Sequence, residues 1–419
     1  MKRTSLICAV LLGFAVLTVG LSGPAAERAV AEPLPPVPAQ DPFYAQPHSL
    51  KGARPGQVIA SRPVTVTGIP TSTPFSAWQL KYVSEDTKGK PWTTIATLIR
   101  PARQAGPPKL MSFQPWIDAL DSRCNPSYQL RMGQVYEGPT GMIAEMLNAA
   151  KLIDRGWTTV ISDYLGPDNQ FAAGFVEGRD TLDGIRAAEN FAPAGLIGAK
   201  TPVALLGYSG GARATEFAAE LAPKYAPELN LVGSAAGGLP GDMGLTAALI
   251  NGGPFAGIEY SSSFGIARAY PELNIPALFA DKSLYPAVSQ MCQVQILATY
   301  AGNTVQDRTV NREWVMGLPK IVKVLDTLKA GRYGTPKSPL YLFQGAHDDI
   351  GTAGVVDRLV ADYCTRKVPV TYARYNASYA NHVLTESLGE DKAIDWIAGR
   401  FAHAPVGNTC GRPINAEAN

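Results

Sequence analysis

Residues 201–215 read Thr-Pro-Val-Ala-Leu-Leu-Gly-Tyr-Ser-Gly-Gly-Ala-Arg-Ala-Thr, which places Gly207, Ser209 and Gly211 in a Gly-x-Ser-x-Gly register. Residues 203–206 form an apolar run of buried-strand length. Behind the motif, Ala214, Phe217, Ala218 and Leu221 recur at helical spacing. A strand that runs straight into a helix must reverse sharply, and glycines two residues either side of Ser209 leave room for that. A serine at such an apex is held in a strained backbone conformation that pushes its hydroxyl outward, as in a nucleophile elbow. The alternative is a serine in an ordinary strand-to-helix turn. Because glycine is abundant here, the five-residue pattern alone is weak, and the flanking strand and helix carry the reading.

Working outward, residues 64–66, 93–98 and 109–113 read as strands, 142–154 as a helix, 157–162 as a buried strand and 181–191 as a helix. Downstream, 338–344 is strand-like, 353–364 helical and 368–375 strand-like, and a closing helix covers 392–401. This alternation predicts an α/β fold with a mostly parallel central sheet, helices on both faces, and ligands at the carboxyl ends of the strands. The rhythm breaks between about 240 and 311. From 239 to 300 the only charged residues are Asp242, Glu259, Arg268, Glu272, Asp281 and Lys282, and Leu245, Ala248 and Leu249 stand at helical spacing. An inserted, mainly helical cap is expected there, the alternative being another core layer. The expected organisation is a signal peptide at 1–31, a proline-rich arm at 32–60, a core at 61–239 and 316–419, and the cap at 240–315. Pro33, Pro35, Pro36, Pro38, Pro42 and Pro47 forbid regular helix in the arm.

Lys2 and Arg3, the apolar stretch 6–21 and Ala29-Val30-Ala31 make a cleavable export signal. The apolar run is barely long enough to span a bilayer, so a secreted protein is expected in preference to an anchored one. Cys8 leaves with the peptide. The remaining chain carries 34 basic and 34 acidic side chains, with no basic stripe for a phosphate backbone, so nucleic acid is not an expected partner. Cys124, Cys292, Cys364 and Cys410 remain, an even number in an oxidising compartment, and two disulfides are expected in one of three pairings. The expected form is a monomer without a stable membrane anchor.

A serine hydroxyl is a poor nucleophile near neutral pH and needs a general base, itself oriented by a carboxylate. The histidines are His48, His347, His382 and His403. In α/β-hydrolases the order along the chain is serine, acid, histidine. His48 precedes the elbow, His347 precedes every nearby acid, and His403 lies past the closing helix. His382 is therefore the expected base. The acid belongs in the loop after the strand-like 340–345, where Asp348 is the choice and Asp349 its neighbour and rival. One oxyanion donor is the backbone N–H of Gly210, the residue after the nucleophile. The second comes from a loop after an early strand, and Gln114-Pro115-Trp116-Ile117-Asp118 is the candidate by position. No His-Glu-x-x-His or cysteine–histidine cluster calls for a metal, and no cofactor is expected. Asn376-Ala377-Ser378 matches a glycosylation sequon but is read as incidental.

Several longer strings are more specific: Ser112-Phe113-Gln114-Pro115-Trp116-Ile117-Asp118, Cys124-Asn125-Pro126-Ser127-Tyr128, Leu182-Asp183-Gly184-Ile185-Arg186-Ala187, Gly207-Tyr208-Ser209-Gly210-Gly211-Ala212, Tyr225-Ala226-Pro227-Glu228-Leu229-Asn230 and Asn251-Gly252-Gly253-Pro254-Phe255-Ala256-Gly257. In order and spacing, from about residue 110 to 413, the chain resembles the secretory lipase family. That resemblance implies a triad of Ser209, Asp348 and His382, with Asp118 completing the oxyanion hole beside Gly210. It also implies disulfides Cys124–Cys292 and Cys364–Cys410, and a mobile lid over an acyl tunnel at about 240–315. The chain departs from the family after the acid, where Gly351-Thr352 replace the usual valine and proline.

The resulting expectation is a secreted triacylglycerol lipase or carboxylesterase with an acyl-enzyme on Ser209. A charge-poor cap suits an acyl chain, whose burial contributes roughly 0.8 kcal/mol per methylene. The alternatives are a serine peptidase on the same fold, a phospholipase or cell-envelope esterase, and a non-catalytic binding protein, which a missing triad member would betray.

Overall fold

The computed structural model describes residues 34–104, 106–132 and 143–412. The expected signal peptide at 1–31, Cys8 included, lies outside the described residues. The chain opens with β1 (Val58–Pro63), β2 (Phe75–Glu85), β3 (Pro91–Pro101) and β4 (Leu110–Gln114). There follow α1 (Pro126–Met132), α2 (Ile143–Asp154), β5 (Thr158–Ser162), α3 (Gly174–Glu189), β6 (Val203–Tyr208), α4 (Gly210–Tyr225) and β7 (Leu231–Gly237). Five helices come next: α5 (Met243–Ile250), α6 (Ala256–Ala269), α7 (Leu284–Val288), α8 (Gln293–Tyr300) and α9 (Pro319–Thr327). The chain then returns to β8 (Leu340–Gly345), α10 (Ala353–Thr365), β9 (Val370–Tyr375) and α11 (His382–Phe401).

Among the described residues nine strands form one sheet in the order β1-β2-β3-β5-β4-β6-β7-β8-β9. Every pair from β5 to β9 is parallel, while β1, β2 and β3 join antiparallel. Period two sorts the side chains. Met111, Phe113, Ala204 and Leu206 pack with Met146 and Leu152 of α2 and Ile394 and Ile397 of α11. Leu110, Val203 and Leu205 pack with Leu182 and Ile185 of α3 and Ala218 of α4 on the other face. This is the α/β-hydrolase arrangement, a mostly parallel sheet with helices on both faces.

Three local expectations need correction, and β2 escapes the sequence reading. Residues 64–66 are not a strand: after Pro63 the Val64 N–H still reaches Ala77, but the Thr67 N–H donates to Leu130 of α1 at 2.8 Å, so the chain peels off the sheet. β2 went unread because buried Gln79, Lys81 and Ser84 interrupt its apolar pattern. Gln79 is satisfied there by Arg62 and by the Ser127 carbonyl. α3 starts at Gly174 instead of 181, and a Cβ at Gly174 would lie 2.2 Å from the Phe217 ring, so its glycine marks helix–helix contact. α11 starts at His382 instead of 392, with Gly389 packed against Phe343 in its middle.

Between β7 and β8 the helices build their own apolar cluster. Ile258, Phe264, Ile296, Val315, Ile321 and Leu325 pack together and against Ile117, Leu120 and Tyr164 of the sheet-end loops. α9, although past residue 315, shares this cluster. The disulfide Cys124–Cys292 fastens the insertion to the loop after β4, and Cys364–Cys410 joins α10 to the C-terminal segment. The arm is docked: Asp41 is buried and paired with Arg62 at 2.7 Å and Arg131 at 3.4 Å.

The elbow glycines are fixed by close backbone approach. A Cβ at Gly207 would stand 2.3 Å from the Gly211 carbonyl oxygen, and one at Gly211 only 1.8 Å from the Gln114 carbonyl oxygen. Neither oxygen can rotate away, so the helix-propensity gain of alanine, about 1 kcal/mol, is outweighed. Gly211→Ala is expected to lower unfolding free energy by about 1–3 kcal/mol in denaturant titration. An unchanged midpoint would contradict this packing.

Candidate active site

Ser209 is the single residue between β6 and α4, at φ 52° and ψ −118°. Positive φ is uncommon for a residue with a Cβ. Here the sheet imposes it, because the Ser209 N–H donates to the Gly237 carbonyl of β7 at 2.9 Å while its own carbonyl receives the Arg213 N–H at 3.2 Å.

His382 is the first residue of α11, which Asn381 caps by accepting the Leu384 N–H at 2.9 Å. The ring is buried. Nε2 lies 2.8 Å from Ser209 Oγ, and Nδ1 lies 2.9 Å from both carboxyl oxygens of Asp348. A carboxylate only accepts, so Nδ1 bears the proton and Nε2 is left to accept from the serine hydroxyl. The Tyr208 hydroxyl donates to the His382 carbonyl, anchoring the helix start to the elbow strand.

The neighbouring acids do different work. Asp348 Oδ1 accepts from the N–H groups of Ile350 and Gly351 at 2.9 and 2.7 Å, and Oδ2 from Gln344 Nε2 at 2.7 Å. Asp349 is exposed and accepts the His382 backbone N–H at 3.1 Å. Gly351 is thus one of the donors holding the acid. His48, His347 and His403 are exposed.

Asp118, in the loop after β4, is buried at φ 44°. A Cβ at Gly210 would stand 2.1 Å from its Oδ1, so glycine alone lets the carboxyl sit beside the Gly210 backbone. Its Oδ2 accepts from Gln293 Nε2 of α8 at 2.8 Å, next to Cys292 of the disulfide. Gln293 was not read from the sequence, and no local pattern marks it.

Burial depresses the His382 pKa, but the Asp348 charge and hydrogen bond, helped by Asp118 and Asp349, outweigh it and the net shift is upward. Burial pushes Asp118 up to about 7 against the pull of His382. Around them lie further buried acids. Glu177 pairs with the fully buried Arg213 at 3.3 Å, and Glu145, Glu386 and Glu390 share the space between α2 and α11. A cavity of about 260 Å³ opens on Ser209 and His382, walled by Trp116, Phe255, Ile258, Val294, Leu297 and Glu386 among others.

The fold is that of the α/β-hydrolases, and a serine, a histidine and an aspartate lie within hydrogen-bond reach of one another at the carboxyl ends of its parallel strands. The sequence profile described as secretory lipase matches residues 138–409. Lipase 5 of Candida albicans is 34% identical, covering 88% of this chain and 81% of that protein. A protein of Mycobacterium tuberculosis named as a probable inactive lipase is 33% identical over 89% and 84%. The structure of Candida antarctica lipase A in its closed state superposes with a TM-score of 0.85 at 30% identity, covering 92% of this chain and 91% of that one. The chain belongs to the secretory lipase family and is a lipase-like carboxylic ester hydrolase.

The raised acids have a consequence for stability. Asp118, Asp163 and Glu386 are pushed by burial to about 7 and Glu390 to about 8. The folded chain therefore holds these protons more tightly than the unfolded chain, whose carboxyls titrate near about 4. Their contribution is lost as pH rises from that range through the folded values. His382 has the same sign: its contribution is complete below about 6.5 and disappears as pH rises through its raised folded pKa. The thermal midpoint is expected to be higher at pH 5 than at pH 8, and the reverse order in calorimetry would contradict it.

Proposed function

We propose that the chain is a secreted lipase or carboxylesterase that works through an acyl-enzyme on Ser209. The observation that carries this is the unbroken relay Ser209 Oγ to His382 Nε2 at 2.8 Å and His382 Nδ1 to Asp348 at 2.9 Å. Ser209 Oγ attacks the ester carbonyl carbon while His382 Nε2 takes its proton. The carbonyl oxygen becomes an anion and meets the Gly210 N–H. Asp118 is the second oxyanion group, for which it must hold a proton. Burial, which pushes its pKa up to about 7, supports this, since a neutral carboxyl donates where a carboxylate would repel. His382 then passes the proton to the departing alcohol, and water, activated by the same imidazole, releases the acid.

The charge-poor insertion, approximately 240–315, is the lid of this enzyme, and Phe255, Ile258, Val294 and Leu297 give the acyl chain an apolar wall. Tyr379, Val383 and Leu384, 60%, 57% and 44% exposed at the mouth of α11, suit approach to an oil–water interface. Among the described residues no helix is long and apolar enough to cross a membrane. The expected export signal, two disulfides and the secreted triacylglycerol lipases among the relatives support release from the cell. The relative named as probably inactive makes a non-catalytic scaffold the reading to beat, and the intact relay speaks against it.

Ser209→Ala is expected to lower p-nitrophenyl ester hydrolysis by at least about 10³-fold with an unchanged melting profile. Activity within about tenfold of the native protein would overturn the proposal. Asp348→Asn removes the acceptor that fixes the imidazole tautomer and is expected to cost about 10³- to 10⁴-fold in kcat, against far less for Asp349→Asn. Equal losses would reverse the assignment of the two acids.

A further inference from the structure

In the acyl-enzyme reading, His382 Nε2 gives its proton to the leaving oxygen, so the alcohol half of the ester lies against His382. His382 opens α11, and residue 386 follows four positions later on the same helix face. Glu386 lines the cavity that holds Ser209 and His382, whereas the insertion's contribution to that cavity is mostly the carbon surface of Phe255, Ile258, Val294 and Leu297. The two halves of an ester therefore meet different chemistry: hydrocarbon from α6 and α8, a carboxyl from α11.

That carboxyl is uncommitted. Glu386 Oε1 is buried without a hydrogen-bond partner, whereas Asp348 is held by three donors besides His382. The groups around it do not satisfy it. Glu145 of α2 and Glu390 of α11 are buried acids with unpartnered oxygens of their own, and Lys151 is engaged with Asp391. Burial pushes Glu386 up to about 7, against the opposing pull of His382 and Lys151. Burial thus favours its protonated form, and a protonated carboxyl both donates and accepts. A hydroxyl on the leaving group is the partner that would satisfy it.

Resting on the acyl-enzyme reading, we infer that Glu386 is a specificity-determining residue that hydrogen-bonds a free hydroxyl on the alcohol half. The favoured substrates are then partial esters of polyols, such as monoacylglycerols, over esters of simple alkanols with the same acid.

The test compares kcat/KM for monodecanoylglycerol and methyl decanoate with the full chain and its variants. Glu386→Leu is expected to lower the glycerol-to-methyl ratio by roughly three- to tenfold, the value of one neutral hydrogen bond, whatever happens to the absolute rates. Glu386→Gln, whose amide still donates and accepts, is expected to keep the ratio within about twofold. An unchanged ratio in Glu386→Leu, or an equal fall in both variants, overturns the inference. A measurement on the unaltered protein is independent of whether the variants fold: glycerol is expected to intercept the acyl-enzyme in preference to 1-propanol at equal concentration, and equal partitioning overturns the inference too. Failure of the native protein to cleave either ester would instead sink the acyl-enzyme reading.

Discussion

The site depends on one backbone constraint, the left-handed conformation of Ser209 where β6 becomes α4. A residue with a Cβ held there costs of order 1–3 kcal/mol, and it persists only because its surroundings leave no alternative. Those surroundings are specific. The Ser209 amide is held by β7, and the backbone at Gly211 is pressed onto the Gln114 carbonyl of β4. The sheet order, with β6 between β4 and β7, is what brings both supports to the turn. Once the turn is made, the hydroxyl points at the end of the sheet where the loops after β4, β8 and β9 deliver Asp118, Asp348 and His382.

The second theme is the number of acids kept out of water around this point. A buried carboxyl without a cation shifts its pKa upward and takes a proton in place of a charge. Asp118, Glu386 and Glu390 do this, and so does Glu177 in spite of its pairing with Arg213. Asp348 is met by two backbone amides, Gln344 and His382. Hydrogen-bond donors thus surround the acid that faces the imidazole. Gln293 and the Cys124–Cys292 disulfide extend the arrangement, because the insertion is fastened to the loop that carries Asp118.

Much of this was legible in the chain. The elbow was readable because steric need leaves a pattern in glycine, and four histidines made the base a matter of order along the chain. The parallel strands were readable because burial on both faces gives apolar runs. What escaped did so for physical reasons. β2 carries polar residues whose partners, Arg62 and the Ser127 carbonyl, are distant in sequence. The starts of α3 and α11 were hidden by Gly174 and Gly389, which resemble helix breakers but are points where Phe217 and Phe343 press close. Missing the first ten residues of α11 also concealed Glu386, because its place one turn beyond His382 has meaning only on a helix. Spacing could not separate Asp348 from Asp349; in the fold Asp348 faces the His382 ring and Asp349 its backbone N–H.

The most direct test of the central claim is covalent. An alkyl p-nitrophenyl phosphonate, a tetrahedral mimic of the attacked ester, is incubated with the native chain and the adduct is located by peptide mass mapping. One equivalent is expected on Ser209, with nitrophenolate released in a matching burst and labelling strongly slowed in His382→Ala. A label on another residue, or none while the chain still cleaves esters, would contradict the account.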